Sequence, residues 1–350
     1  MPVYQIDPLV DRRWSEFVAA HPRASAFHSR GWLDALRRTY GFQPMAFTTS
    51  PGDSDLSNAV VFCRVESWLT GSRLVSLPFA DHCEPLTDNS EDLNEILQSV
   101  TRQIDRLRVR YVELRPLHPD RSVLREGSGY RNGDTFRFHT LDLRGSLDAI
   151  FHGCHKDSVQ RRIRRSANAG LNWEEGSNPE LLRKFYSLLI LTRRRHQLLP
   201  QPFRWFKNLA ETMGQTLNIC VASRGSTPLA GILTLHHNGL TIYKYGCSDA
   251  RFNKLGATPG LLWRAIEQAK TSGAHTFDMG RSDVDNLGLI AFKCNWGTVN
   301  QELTYWQYPG QKGERSSLLS RWQKIGGRVV SHLPSRILTS AGEVLYKHAG

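Results

Sequence analysis

In this chain of 350 residues, residue types and spacing come nearest to chemistry in FDMGRSDVDNLGLIAFKCNWG, from Phe277 to Gly297. Asp278, Arg281, Ser282, Asp283 and Asp285 gather at the end of what reads as a buried strand, and Lys293 and Trp296 follow in a short, otherwise apolar run. Sheet ends of this kind are where α/β proteins place ligand-binding residues. The plainer reading is structural: Arg281 pairs with Asp278 or Asp285 to pin a loop, and Lys293 snorkels from a helix. A second candidate is the loop RFNKLGATPG, Arg251 to Gly260, which leaves one strand and enters a helix capped by Thr258. Backbone amides at Gly256, Ala257 and the first helical turn, with Lys254 beside them, suit an anion such as a phosphate. Nucleophilic catalysis is not indicated, because no Ser/His/Asp order or Cys/His pair stands out and Cys294 reads as a small core residue. The six cysteines have no paired short spacing, and His152, Cys154 and His155 lack further ligands, so neither a metal nor a disulfide framework is expected.

Two stretches of similar order must position these residues. In the first, PMAFTT (Pro44 to Thr49), AVVFCRV (Ala59 to Val65) and RLVSLPF (Arg73 to Phe79) alternate as strands of a meander. A helix follows, capped by Ser90, with Glu91 and Asp92 at its positive end and Leu93, Ile96, Leu97, Val100, Ile104 and Leu107 on one face. The strand YVELRP (Tyr111 to Pro116) comes next, and an earlier helix spans Trp32 to Tyr40. The second stretch repeats this order in LNICVA (Leu217 to Ala222), LAGILTLHH (Leu229 to His237), LTIYKYG (Leu240 to Gly246), a helix from Thr258 that Gly273 ends, and HTFDMG (His275 to Gly280). The pattern is that of a diverged internal duplication, carried by order of elements rather than identity. Tyr245, at the end of the central hairpin, is placed to line a cleft.

The charge is uneven. The net +12 divides into +7 between Gly153 and Gln215 (12 Lys or Arg against 5 Asp or Glu), +5 between Gln311 and Gly350 (7 against 2), and zero elsewhere. Basic residues confined to a middle helical segment and a tail suit a polyanionic partner: phosphates of a nucleotide-linked or lipid-linked precursor, a transfer RNA, or an anionic membrane surface. In the tail, Leu318, Trp322, Ile325, Val329 and Leu333 recur at helical spacing until Pro334, which fits docking on the body or on a membrane. No stretch approaches the roughly 18 apolar residues that cross a bilayer, and the N-terminus lacks the apolar run of a secretory signal, so a cytoplasmic protein, peripheral to the inner membrane at most, is expected.

The run FDMGRS, then FK and WG, then a closing strand with Tyr305, resembles the C-terminal hallmark of FemAB-like proteins, within the GNAT superfamily of acyltransferases. HKDSVQRRIRRSANAGL resembles the basic helix that opens their second half, and FHSRGWLDAL (Phe27 to Leu36), with Arg30 and Trp32, resembles their N-terminal motif. The resemblance runs from about Phe27 to Tyr308. It implies an α/β fold of two tandem GNAT-like domains, each a mixed central sheet flanked by helices. These are residues 1–145 and 146–310, the latter opening with a basic helical insertion at 146–215, and a basic amphipathic tail follows at 311–350. It also implies an acceptor held in the cleft between the domains. Some members carry an amino acid from aminoacyl-tRNA to an amine of a peptidoglycan precursor, and others are acetyltransferases of exopolysaccharide systems. No bound cofactor is then expected, acyl-CoA or aminoacyl-tRNA being a co-substrate. Lys293 matches the family's FK lysine, implicated in stabilising the transferring carbonyl. Arg30 lies near the position where relatives hold an acceptor phosphate with a cation. The loop Asn253 to Ala257 departs from the GNAT pattern, in which Arg or Gln precedes Gly-x-Gly or Gly-x-Ala, and no long coiled-coil arm is present.

The mechanism expected from these residues is direct attack of an acceptor amine on an activated acyl carbonyl, with Lys293 stabilising the oxyanion. Asp278 or Asp283 orients Arg281 or accepts the amine's proton, and Arg281, Ser282 and Tyr245 contact substrate. Two rival readings are a non-catalytic binding module for anionic glycan or lipid precursors and a nucleic-acid binder. RRIRR and TRRRH allow the latter, but no nucleic-acid-binding motif accompanies them.

Overall fold

Strands with one apolar face persist only where a helix or another layer covers that face. The computed structural model describes residues 1–125, 127–309 and 334–349, and the described strands are β1 (Tyr4–Ile6), β2 (Gln43–Thr48), β3 (Val60–Val65), β4 (Arg73–Val75), β5 (Val112–Leu114), β6 (Arg131–Asp142), β7 (Asn172–Gly176), β8 (Leu217–Arg224), β9 (Thr227–His237), β10 (Leu240–Ser248), β11 (Thr276–Asp283) and β12 (Val299–Tyr308). The described residues divide into two compact units, one of residues 1–136, 303–309 and 343–349, the other of residues 137–302 and 334–342. β6 and β12 each give one part to each unit.

In the first unit, β1, β2, β3 and β4 pair antiparallel in that order and β5 joins β4 in parallel. A parallel neighbour requires a crossover, which the helices Ser90–Arg102 and Ile104–Leu107 supply. Leu93, Ile96, Leu97 and Val100 bury themselves against Met45, Phe47, Phe62, Leu74, Val112 and Leu114. The C-terminal end of β12 then pairs antiparallel with β5, Trp306 opposite Leu114.

The second unit follows the same plan. β7, β8, β9 and β10 are antiparallel in order, helix Ala257–Thr271 crosses over, and β11 joins β10 in parallel, with β6 beyond it. Leu261, Leu262, Ala265, Ile266 and Ala269 of that helix share a core with Ala230, Ile232, Phe277 and Met279. Before each meander come one edge strand and two helices: β1 with Arg13–Ala20 and Arg30–Tyr40, β7 with Pro179–Arg195 and Phe203–Met213. The duplication read from the order of elements is thus a duplication of topology.

The differences from sequence expectation have local causes. The third strand of the first meander ends at Val75 rather than Phe79, because Leu77 and Phe79 adopt positive φ (58° and 63°) and leave the ladder. Asn89, not Ser90, caps the following helix: its side chain accepts the Asp92 N–H at 2.8 Å, while Ser90 donates to Asp120. The helix Ala257–Thr271 begins one residue before Thr258, on Gly256 in the left-handed region, so Thr258 is not its cap. Gly273 (φ 83°) does lie just past its end. The segment 146–215 is not wholly helical, since Asn172–Gly176 forms edge strand β7. The tail positions 318–333 lie outside the described residues, and Pro334 precedes a helix, Ser335–Ala349.

Because Asn89 satisfies an otherwise unpaired helix amide, Asn89→Ala is expected to lower the unfolding free energy by ~1 kcal/mol. Ser90→Ala, which removes an exposed contact, should cost clearly less in the same urea titration.

Candidate active site

The site grows from the way β10 and β11 part. Their parallel pairing covers only Leu240–Ile242 against Thr276–Asp278, yet β10 runs on to Ser248 and β11 to Asp283. An irregularity in the β9–β10 register between Tyr243 and Tyr245 marks the point of departure. Beyond it the facing edges of two parallel strands carry backbone groups that no longer pair with each other, as suits a ligand threaded between strands.

At the end of β11 the chain makes a turn that its own residues hold. Asp278 is fully buried, and its Oδ1 accepts the Gly280 N–H at 2.5 Å. Gly280 stands at φ 70°, which a side chain would oppose. The Gly280 and Arg281 carbonyls both accept from Lys293 Nζ, at 3.0 and 2.7 Å. Lys293 is 4% exposed and is the buried residue of helix Leu287–Cys294, whose Leu287 is 72% exposed. This inverts ordinary amphipathicity: an apolar helix turns its one charged side chain inward. Lys293 therefore does not snorkel. A buried ammonium is retained only where acceptors meet it, and the turn of β11 supplies two.

Around this ammonium lie residues that sequence reasoning missed. Thr298 Oγ1 donates to the Lys293 carbonyl at 3.0 Å, closing the end of the helix, and His139 Nδ1 of β6 lies 3.5 Å from the same hydroxyl. Burial first, then the Lys293 and Arg137 charges, press the His139 pKa down to about 4. The alternation of FRFHTLDL was a usable signal for β6, but nothing in it distinguished His139.

The expected site residues do not all assemble here. Ser282 is buried beside the turn, and its hydroxyl has no hydrogen-bond partner among the described residues. Arg281 is half-buried and contributes its carbonyl. Asp283 is exposed, its carbonyl accepting the Asn286 N–H in the next turn. The Tyr245 hydroxyl is engaged in the interior, donating to Gln201 Oε1 at 2.7 Å and accepting from Trp205 Nε1 at 2.9 Å. In the other unit, Arg30 donates to the Leu9 carbonyl, and Trp32 is buried with its ring edge-on to Phe27.

The loop before helix Ala257–Thr271 is built more tightly than its sequence suggests. Lys254 is exposed, Gly256 and Ala257 are buried and Thr258 is half-buried. The basic helix Arg161–Ala167 lies across it: Arg165 Nη1 donates to the Lys254 carbonyl at 3.2 Å, and a Cβ at Gly256 would collide with the Arg162 carbonyl. At Gly260 a Cβ would strike Ser166 and stand 2.6 Å from Trp173. The start of helix Ala257–Thr271 thus lies against the helix that carries the exposed Arg161, Arg162, Arg164 and Arg165, while the Gly256 N–H is spent on the Asn253 carbonyl at 3.3 Å. Among the described residues no group of His, Cys, Asp and Glu could hold a metal.

Residues 155–287 match the family profile of an acetyltransferase (GNAT) domain. No curated protein matches the sequence. Among solved structures, FemX aligns with 88% of this chain and 97% of its own at TM-score 0.71 and 15% identity. The L-PGS of Bacillus licheniformis aligns with 93% of this chain and 98% of its own at 0.56 and 16%. A tandem GNAT protein from the clavulanic acid biosynthesis pathway aligns with 89% and 99% at 0.56 and 10%. At such identities the likeness is one of fold. Residues 155–287 are thus similar to a GNAT acetyltransferase domain, and the chain shares its fold with FemX and with a tandem GNAT protein.

Two outcomes follow. Gly256→Ala places a methyl group against backbone in the left-handed region and should destabilise by at least ~2 kcal/mol, seen as an earlier urea midpoint. His139 takes up its proton in the unfolded chain near pH 6.5 and in the folded one near 4. Stability is therefore complete above about pH 6.5 and falls as pH drops toward 4, by ~3 kcal/mol from this ring. His139→Asn should flatten that part of the stability–pH curve measured by urea titration.

Proposed function

We propose that the protein is an acyltransferase that moves an acyl or aminoacyl group from an activated donor, acyl-CoA or aminoacyl-tRNA, to an amine of a nucleotide- or lipid-linked cell-envelope precursor. The observation that carries the reading is the parting of β10 and β11 with a buried lysine ammonium at the end of the latter. A thioester or ester donor would lie along the edges the two strands leave unpaired. Its phosphates or phosphodiesters would meet the surface formed by Lys254, the amides of Ala257 and Thr258, and the arginines of helix Arg161–Ala167, the Gly256 N–H being taken by the Asn253 carbonyl at 3.3 Å. A fold relative supports the lipid-linked part of the acceptor class by what it is called: the C-terminal domain of a putative lysylphosphatidylglycerol synthetase from Agrobacterium fabrum, aligned at TM-score 0.57 and 12% identity over 92% of this chain and 96% of its own.

In the reaction the free amine attacks the acyl carbonyl. A C–N bond forms, the carbonyl electrons collect on oxygen, and the tetrahedral intermediate expels the CoA thiolate or the ribose oxygen of the tRNA, which leaves with the proton the amine gives up. Lys293 supplies positive charge where that oxygen becomes anionic. Asp278 holds the Gly280 turn that fixes Lys293, and Arg281 and Ser282 border the reacting groups. Asp283, being exposed, takes part only through substrate outside the buried cluster. Membrane association belongs to the same proposal: among the described residues no helix is long and apolar enough to cross a membrane, so a lipid-linked acceptor would be met from the surface.

The test is transfer of isotopically labelled acyl groups from acyl-CoA and aminoacyl-tRNA donors to amine-bearing envelope precursors. Wild type is expected to transfer from one donor class, and Lys293→Met to lose roughly 100-fold or more in kcat. The Met variant also leaves two buried carbonyls short of a donor, so its melting curve must accompany the rates. Precursor binding without transfer from any donor, unaltered by Lys293→Met, would replace this reading with that of a binding module.

A further inference from the structure

His139 has no part in the proposed bond changes, yet its environment is specific. The ring is fully buried on β6, and Nε2 has no hydrogen-bond partner among the described residues. Thr298 has one hydroxyl hydrogen, and the Lys293 carbonyl receives it at 3.0 Å. Only lone pairs of that oxygen then face His139 Nδ1 at 3.5 Å, so Nδ1 carries the ring hydrogen and Nε2 the lone pair. A second proton would create an N–H with no acceptor beside two cations, Lys293 and Arg137. One tautomer and one charge state are thus imposed by the surroundings. A histidine that only filled space would not need its Nδ1 on the hydroxyl that closes the Lys293 helix.

The geometry points to His139 as a positioning residue for Lys293. Through Thr298 it fixes the last turn of helix Leu287–Cys294, which sets the origin of the Lys293 side chain. As a ring that is neutral at pH 7 it leaves the ammonium, rather than itself, as the charge that the Gly280 and Arg281 carbonyls receive. The inference rests on the role proposed for Lys293 in transfer, but its structural half is measurable without turnover.

The experiment uses the full chain with His139→Asn and His139→Gln. Asn keeps a donor at the position of Nδ1; Gln keeps a polar group at the position of Nε2 and loses that donor. First, Lys293 is acetylated with a pulse of acetic anhydride and followed by mass spectrometry against exposed Lys254 in the same molecule. Lys293 should react at the wild-type rate in His139→Asn and at least ~10-fold faster in His139→Gln, with Lys254 unchanged. Second, in the transfer assay Asn should retain kcat within about threefold, while Gln loses roughly 10- to 100-fold in kcat with KM nearly unchanged, as a displaced catalytic group predicts. Equal labelling and equal rates in the two variants overturn the inference. So does labelling that rises in both in step with a lowered Tm, which would make His139 a core residue only. If wild type transfers nothing to any acceptor, the acyltransferase reading falls, and the Lys293 labelling still decides this one.

Discussion

The arrangement depends on one demand: the ammonium of Lys293, taken out of water, must meet oxygen. A lone buried cation is among the most unfavourable groups a fold can carry. Here the oxygens are backbone carbonyls of Gly280 and Arg281, which are available because β11 turns at Gly280 and because Asp278 ties down the Gly280 amide. The turn, the aspartate, the helix that delivers the lysine and the hydroxyl that closes that helix are consequences of that single requirement. It also explains an otherwise odd helix, whose leucine faces water while its lysine does not.

A second constraint comes from the sheet. A parallel pair such as β10 and β11 can hydrogen-bond only while the strands stay in register, and the bulge at Tyr243–Tyr245 ends that register. Beyond it the backbone is left with donors and acceptors at the same end of the sheet where Lys293 is buried. The same plan occurs in the first unit, with β4 and β5 parallel over two residue pairs, but there the neighbouring charges are consumed internally. Arg115 binds Glu113 at 2.7 Å, donates to the Leu77 and Ala80 carbonyls and stacks over Tyr305. The two units thus share one strand plan, and the charged groups beside it bind the structure in one unit and border a parting of strands in the other.

The concentration of positive charge has a counterpart in the loop at Gly256. Helix Arg161–Ala167 sits so close to this loop that only glycine fits at positions 256 and 260, and the packing brings four exposed arginines beside a helix start. Charge composition alone would have allowed a solvated face anywhere on the molecule. Contact between two helices distant in sequence places it where an anion's phosphates are proposed to bind.

Both meanders, their crossover helices and the returning strands were legible in the sequence because each rests on local periodicity, which burial of one face imposes on neighbouring residues. The cluster Asp278, Arg281, Ser282 and Lys293 was legible as well, since polar residues at the end of an apolar strand need a reason. Tertiary structure decided the rest. NWEEG forms β7 although no residue of it is buried, so a polar edge strand left no pattern to read. Apolar alternation continues through Leu77 after the ladder has stopped, because alternation reports burial and not pairing. Asn89 and Ser90 are equally good caps by type, and a contact with Asp120 assigned their roles. Tyr245 looked like a cleft residue until Gln201 and Trp205 took its hydroxyl. His139 could not be read at all: its meaning lies in a hydroxyl and an ammonium far along the chain, and one-dimensional spacing carries no record of which distant groups a fold will bring to 3.5 Å.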